Sequence, residues 1–482
     1  MNNKQSVNKK NIILYGLGDL FGGGSFLIIG TLYMIFLTDI VGLNPGKAGT
    51  VLVIGKIWDA VSDPLMGYLS DHTNTKYGKR RIYFLIGIVP IAISFILLWY
   101  PVNFSSQLYL FLYYSFAYIF FSTIFTLVMV PYTALNADMT SNFEIRTKLS
   151  TSRMIFSQLS ALIAGVLPKI LIDFLLKNSF ISSEANAYFI MGIIFGIFYS
   201  LPWIFVFLGT KELPENHLEK REKLTTKLKN FKTIFKNKSF RIHLLMYIFA
   251  YLAMDFVMAL FVYYLNYYLQ LPDLFSYCML AILTSQIIML PFYMKISNKY
   301  GKSRAYIIGL TIWGLSMLSL LFLGTNTPIY LIIIVCIFIG AGLSAGVMIP
   351  YAILPSITDV DEVMTLKKRT GVYSGLMTLI RKIAQAIAMW SIGIFLNLIG
   401  YIPNQIQSAD TLFNLKIIFI FIPVIFIVGG IISAFKFKIT PKKQKILRKE
   451  INRLRAGGKR KEVKPKVQKI CEELTGNNYF KK

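Results

Sequence analysis

The stretch Val51–Ser70, VLVIGKIWDAVSDPLMGYLS, constrains the chain most, because it has the length of a membrane-crossing helix and yet holds Lys56, Asp59 and Asp63. Spacings of three, four and seven residues stack these side chains on one helical face. An ionised group at the bilayer centre costs roughly 2.5–3.5 kcal/mol on insertion scales, so this face requires pairing, water or a bound ion. Two carboxylates one turn apart also resist double ionisation, and so share a proton or hold a small cation between their oxygens. A static triad in which Lys56 only neutralises Asp59 or Asp63 is the competing reading.

Such a helix does not stand alone in this chain. With 482 residues, 55% of them hydrophobic and 15% charged, the composition is that of an all-α polytopic membrane protein. The formal charge of +28 lies in short clusters between apolar runs and in the tail, which is a topology signal and no nucleic-acid footprint. Cys278, Cys336 and Cys471 are scattered, as are His72, His217 and His243, so neither a disulfide framework nor a zinc site nor a hydrolytic triad emerges. No cofactor and no enzymatic activity are expected.

Runs long enough to cross about 30 Å of hydrocarbon predict about twelve helices. They fall near 12–38, 49–70, 82–101, 108–136, 151–176 and 187–208, then 242–270, 276–297, 304–324, 328–355, 370–399 and 411–436. This divides the chain into an N-terminal six-helix bundle (1–209), a linker (210–240), a C-terminal six-helix bundle (241–437) and a basic tail (438–482). Connections rich in Lys and Arg, such as Lys76–Arg81, Arg146 with Lys148, Lys295–Arg304 and Lys367–Arg369, alternate with connections that are poor in them. The basic set, with both termini, is expected in the cytoplasm of a cell whose inner membrane the chain spans. A monomer in the lipid bilayer is expected.

The halves echo each other. PYTALNADMT from Pro131 precedes Arg146 and Thr147, and PYAILPSITD from Pro350 precedes Arg369 and Thr370. GYLSDHTNTKYGKRR and KISNKYGKSR form a second pair, and parallel six-helix repeats are a signature of two-bundle transporters. The tail has helical spacing of Ile446, Leu447, Ile451 and Leu454 among cations, which fits either an amphipathic helix on an anionic leaflet or a solvated charged segment.

Well inside the apolar runs, further charge appears at Asp19, Arg153, Asp255, Arg381 and Lys382. Arg381 and Lys382 sit well inside the eleventh run, so at least one is expected to meet Asp59 or Asp63. In the first run, GLGDLFGGGS (Gly16–Ser25) predicts close helix packing, with a ligand contact as the lesser reading. Tyr263, Tyr264, Tyr267 and Tyr268 suit either packing or stacking on a sugar ring, and Tyr267 is retained as a candidate.

The segments YGLGDLFGGG, TDIVGLNP, GKIWDAVSDPLMGYLSD with KYGKRR, VPYTAL with EIRT, and DVDEV with KKRTGVYSG and IRK resemble the glycoside-pentoside-hexuronide:cation symporters, the melibiose-permease-like family of the major facilitator superfamily. The likeness runs from about Tyr15 to Tyr401. It implies the two-bundle major facilitator fold and cation-coupled uptake of a sugar or glycoside by alternating access, with Na⁺, Li⁺ or H⁺ as the coupling ion. Asp59 and Asp63 match the family's cation-site acids, and they are metal ligands only if that ion is Na⁺. Thr126 matches a threonine beside them, Lys382 the lysine that engages them, and Arg153 a substrate-binding arginine. Lys56 stands where melibiose permeases have arginine, and it and Arg381 are read as structural charge partners. A sugar-binding carboxylate of those permeases falls on Gly23 here and another near Met129, which leaves Asp19, one turn before Gly23, to take over part of that role. Galactoside recognition is therefore not expected, whereas another glycoside, a pentoside or a uronide is. The rivals are a cation-coupled carrier of an amphiphile such as a lysolipid and a non-transporting membrane sensor.

Overall fold

The protein is described by a computed structural model that covers residues 7–140, 142–178, 181, 183–213, 233–367 and 369–480. Lys368 and most of the expected linker, residues 214–232, lie outside the described residues. Local sequence sets many helix starts. Asn8 and Asn11 form a reciprocal capping box at α1 (Lys9–Gly16), and α2 (Asp19–Ile28) follows after a short break. Asn44 caps α3 (Pro45–His72), whose Pro45 sits where its missing N–H costs nothing. After α4 (Arg81–Leu98), Ser106 caps α5 (Gln107–Met139), and Asn142 caps α6 (Phe143–Lys177) through the amides of Glu144 and Ile145. Then come α7 (Glu184–Ser200), α8 (Pro202–Gly209), α9 (Lys238–Tyr263), α10 (Phe275–Tyr300), α11 (Lys302–Ser319), α12 (Ile329–Thr365), α13 (Thr370–Leu398) and α14 (Ala409–Lys436). The tail adds α15 (Pro441–Arg455) and α16 (Pro465–Thr475).

Among the described residues eleven helices are long and apolar enough to cross a membrane. α3, the twelfth expected crossing, is outside that set although it is 28 residues long; Lys56, Asp59 and Asp63 make it too polar. α12 runs ten residues beyond the expected boundary at 355, through Pro350 and Pro355 to Thr365. Its polar last turns hold because Arg369 bonds Asp361 and Arg455 bonds Glu362.

The chain forms two compact units. The first comprises Met1–His217, Met258–Leu283 and Gln385–Lys416, and the second Leu218–Val257, Thr284–Ala384 and Ile417–Lys482. An aromatic core fills the first unit: Phe21 packs on Phe121, Phe125, Tyr199 and Trp203, and Trp99 on Tyr33, Phe36 and Tyr188. The glycine run of α1 and α2 brings them against α6, since a Cβ on Gly23 would lie 2.5 Å from the Ser157 carbonyl oxygen and one on Gly24 would lie 3.0 Å from that of Ser160. In the second unit α11 meets α12 through Gly309 and Gly342, where a Cβ on Gly342 would come within 2.5 Å of the Trp313 nitrogen.

The sequence echo is also a structural one. Gly78 and Gly301 both take left-handed φ, +105° and +99°, at the turns after α3 and α10. Arg146 reaches back to the carbonyls of Thr140 and Ala137 at the end of α5, and Arg369 reaches back to the side-chain carboxylate of Asp361 at the end of α12. The tail does not offer its apolar face to lipid: Leu447, Ile451 and Leu454 are buried within the second unit. Arg448 pairs with Asp359 at 3.0 Å, and Arg460 donates to the Val363 and Met364 carbonyls.

Candidate functional site

On α3 the helical spacing aligns Lys56, Asp59 and Asp63, and α5 lies alongside with a row of hydroxyls. Lys56 Nζ is 3.5 Å from Asp59 Oδ2 and 3.4 Å from the centre of the Phe26 ring, so the cation is held by a carboxylate and an aromatic face. Ser122 donates to the other Asp59 oxygen, and Thr126 donates to Asp63 Oδ1 at 3.0 Å. Ser62 lies within 3.3 Å of Thr126 Oγ1 and 3.5 Å of the Asp59 backbone carbonyl, so it joins the two pairs through the backbone and not through the Asp59 carboxylate. Asp59 and Thr126 are buried.

Each carboxylate accepts a hydrogen bond from a hydroxyl of α5, and the two carboxylates with the three hydroxyls supply hard oxygen donors. That chemistry suits a small alkali cation or a shared proton and does not suit zinc or copper. Among the described residues no group of three or more His, Cys, Asp and Glu gathers into a metal cage. Asp59, Asp63 and Thr126 were expected from the sequence; Ser122 and Ser62 were not. Ser122 precedes Thr126 by one helical turn, and that spacing was the available signal.

A second polar cluster in this unit joins α2, α5 and α6. Arg153 donates to Asp19 at 3.2 Å, and its guanidinium stands 4.7 Å from the centre of the Tyr132 ring. Tyr15 and Tyr132 exchange hydroxyl-to-carbonyl bonds of 3.1 and 2.7 Å, which fixes that ring. Gly23 lies on the Ser157 backbone, and Gly22 faces Met129 and Asp19. Removing side chains at these positions lets α2 approach α6 and leaves Asp19 as the carboxylate that Arg153 meets.

Asp39 was not singled out from the sequence. It is buried beyond α2, on a π-helical turn (Phe36–Ile40), and accepts bonds from Thr38 at 2.7 Å, Tyr401 at 2.6 Å and Tyr267. Thr38 also bonds the Tyr263 hydroxyl at 2.8 Å, and Asn404 donates to the Asp39 carbonyl. α9 ends in a π turn of its own, Tyr264–Tyr268, so both ends that meet here are wound in the same unusual way. The hydroxyl of Tyr267, whose ring was the candidate for stacking on a sugar, is engaged by Asp39. The TDIVG segment and the tyrosine cluster were visible separately; only the fold brings them together.

In the second unit, α13 carries Arg381 and Lys382. Arg381, read from the sequence as a structural charge partner, forms a two-pronged bond with Asp255 at 2.7 and 2.7 Å. Its guanidinium is 4.8 Å from the Tyr251 ring centre. Each unit thus holds one Asp–Arg pair with a tyrosine face on the arginine: Asp19, Arg153 and Tyr132 in the first, Asp255, Arg381 and Tyr251 in the second.

Among the described residues, an all-helical fold with eleven helices long and apolar enough to cross a membrane, repeated halves, and paired charges and hydroxyls buried within its helices fits the class of polytopic membrane transporters. The profile of the MFS/sugar transport protein family matches residues 14–441, and the chain belongs to that family. It is 29% identical to the uncharacterized symporter YjmB of Bacillus subtilis, over 91% of this chain and 94% of that protein. It is 25% identical to the isoprimeverose transporter of Lactiplantibacillus pentosus, covering 92% of each. Its fold is similar to that of a solved D-xylose-proton symporter, with TM-score 0.64, 16% identity, 90% of this chain and 98% of that one covered.

Proposed function

We propose that this protein is a secondary active transporter that carries a sugar or glycoside into the cell together with Na⁺, Li⁺ or H⁺ by alternating access. The observation that carries this reading is the oxygen cluster of Asp59, Asp63, Ser62, Ser122 and Thr126 on two adjoining helices. A cation or proton that loads there cancels carboxylate charge, and its departure restores that charge, so occupancy and conformation are linked. The chain's likeness to a transporter named for isoprimeverose supports the sugar class.

Asp19 and Arg153 are assigned to substrate hydroxyls, since one offers acceptors and the other donors beside the Tyr132 face. Lys382 is assigned to coupling on the strength of the family resemblance. Two six-helix halves, 1–209 and 241–437, with both termini in the cytoplasm of a cell whose inner membrane holds the protein as a monomer, complete the reading. Transport, with no bond made or broken in the substrate, is the whole activity.

The test is uptake of radiolabelled methyl β-xyloside, alone and against a panel of other glycosides, in proteoliposomes under a Na⁺ gradient at fixed pH or a pH gradient without Na⁺. One of the two gradients should drive accumulation above equilibrium. Asp59→Asn and Asp63→Asn should each abolish accumulation and leave exchange across the membrane. Intact accumulation by the double variant would remove the coupling role from this cluster.

A further inference from the structure

The first turn of α9 and the last turn of α14 frame a cleft of about 790 Å³ in the second unit. Lys238 and Arg241 enter it from α9, and Lys436 and Lys438 from the end of α14. The same two helices also present Leu245 and Ile432, about one turn further into the apolar runs, and Phe435 beside Lys436, all exposed. The cleft therefore has a rung of cations at the helix ends and an apolar wall along the helix bodies. Glu473 of α16 also lines it, but its carboxylate is bonded to Lys443 at 2.6 Å. Among the described residues the four cations make no ion pair.

We propose that this cleft is a binding site for an anionic glycerophospholipid of the leaflet that the basic helix ends face. A phosphate-bearing headgroup meets the four cations while its acyl chains lie along Leu245, Ile432 and Phe435. The two-tier arrangement selects this occupant. Inorganic phosphate would use the cations and leave the wall uncovered, and a zwitterionic lipid would use the wall and leave the cations uncompensated. α16 closes one side, since Ser239 Oγ donates to the Leu474 carbonyl and Asn477 to that of Lys236. Bound lipid thus touches the tail as well as two membrane helices, and the basic tail meets the bilayer through headgroups while its own apolar residues stay in the protein.

The test uses the full-length protein, delipidated in detergent and titrated with palmitoyl-oleoyl phosphatidylglycerol or phosphatidylcholine, with bound lipid counted by native mass spectrometry. Wild-type protein should hold phosphatidylglycerol in preference to phosphatidylcholine. The variant R241Q/K436Q/K438Q should lose that preference by at least about tenfold. The control K442Q/K445Q/K449Q, which removes as many exposed cations from α15, should stay within about twofold of wild type. Phe435→Gln, which keeps every charge, should also weaken phosphatidylglycerol. Equal losses in variant and control would mean diffuse attraction and overturn the site. So would an absence of headgroup preference, or full competition by inorganic phosphate that persists in Phe435→Gln. Each readout is independent of uptake, so it stands or falls apart from the transport reading.

Discussion

Asp255 and Arg381 offer a quantitative test of how the second unit is held. Both are largely buried, and the two terminal guanidinium nitrogens each bond one carboxylate oxygen at 2.7 Å. Asp255→Asn leaves a guanidinium facing a neutral amide in a site of low polarity, and Arg381→Gln leaves a carboxylate without its cation. Breaking a buried pair on one side costs about 3–5 kcal/mol, most of it the penalty of the charge left behind. At roughly 2–4 °C per kcal/mol for units of 150–250 residues, each single variant should lower the thermal midpoint of the purified protein by about 6–20 °C. The double variant Asp255→Asn with Arg381→Gln leaves no charge stranded and should recover at least about half of that loss. If the single losses simply add in the double variant, the pair is not a coupled unit and the reasoning fails. Midpoints by tryptophan fluorescence, with transport measured on the same preparations, would decide it.

Tyr401→Phe removes one hydroxyl from Asp39 but keeps the ring packed at 5.2 Å on Tyr267, so the loss should be about 1.5–3 kcal/mol at that joint. That shifts any equilibrium between joined and parted forms roughly 10- to 150-fold, and faster maleimide labelling of a Thr31→Cys probe would report it; an unchanged rate would mean that Asp39 is not what holds the joint. Ser122→Ala deletes a donor to Asp59 without touching charge, and should raise the concentration of coupling ion needed for half-maximal uptake roughly tenfold while leaving sugar affinity nearly unchanged. Burial, and then the nearby Glu450 carboxylate, push the Cys471 thiol from 9.0 up to about 12. Because the folded value is the higher one, its contribution to tail docking is complete below about pH 9 and is lost as pH rises toward 12; Cys471 should resist iodoacetamide at pH 8, and Tyr479→Ala, which removes the Glu450 contact, should expose it.

Much of the architecture was legible in advance because the bilayer accepts few solutions. An apolar run of about 20 residues must be a helix there, since no water is present to satisfy its backbone. The crossing positions, the capping residues Asn44, Ser106 and Asn142, and the turn glycines Gly78 and Gly301 all follow from local chemistry. Asp59 and Asp63 were also legible, because charge inside an apolar run has few explanations, whereas Thr126 was named only through the family resemblance. Side chains that carry no such anomaly were not. Ser122 is an ordinary helical serine until Asp59 stands beside it, and Asp39 sits at a helix end where a carboxylate draws no attention.

The sequence alone therefore determined the approximate places of the membrane-length apolar runs and the likeness to a family, and it marked the residues whose polarity inside those runs calls for a partner. Tertiary structure settled the partners. It gave Arg381 to Asp255, the Tyr267 hydroxyl to Asp39 and the tail's apolar residues to the body of the second unit. The physical reason is range. Burying a charge is costly wherever the chain runs, so the need for a partner is written locally, whereas which partner meets that need depends on helices that lie far apart in the chain and are brought together only by packing.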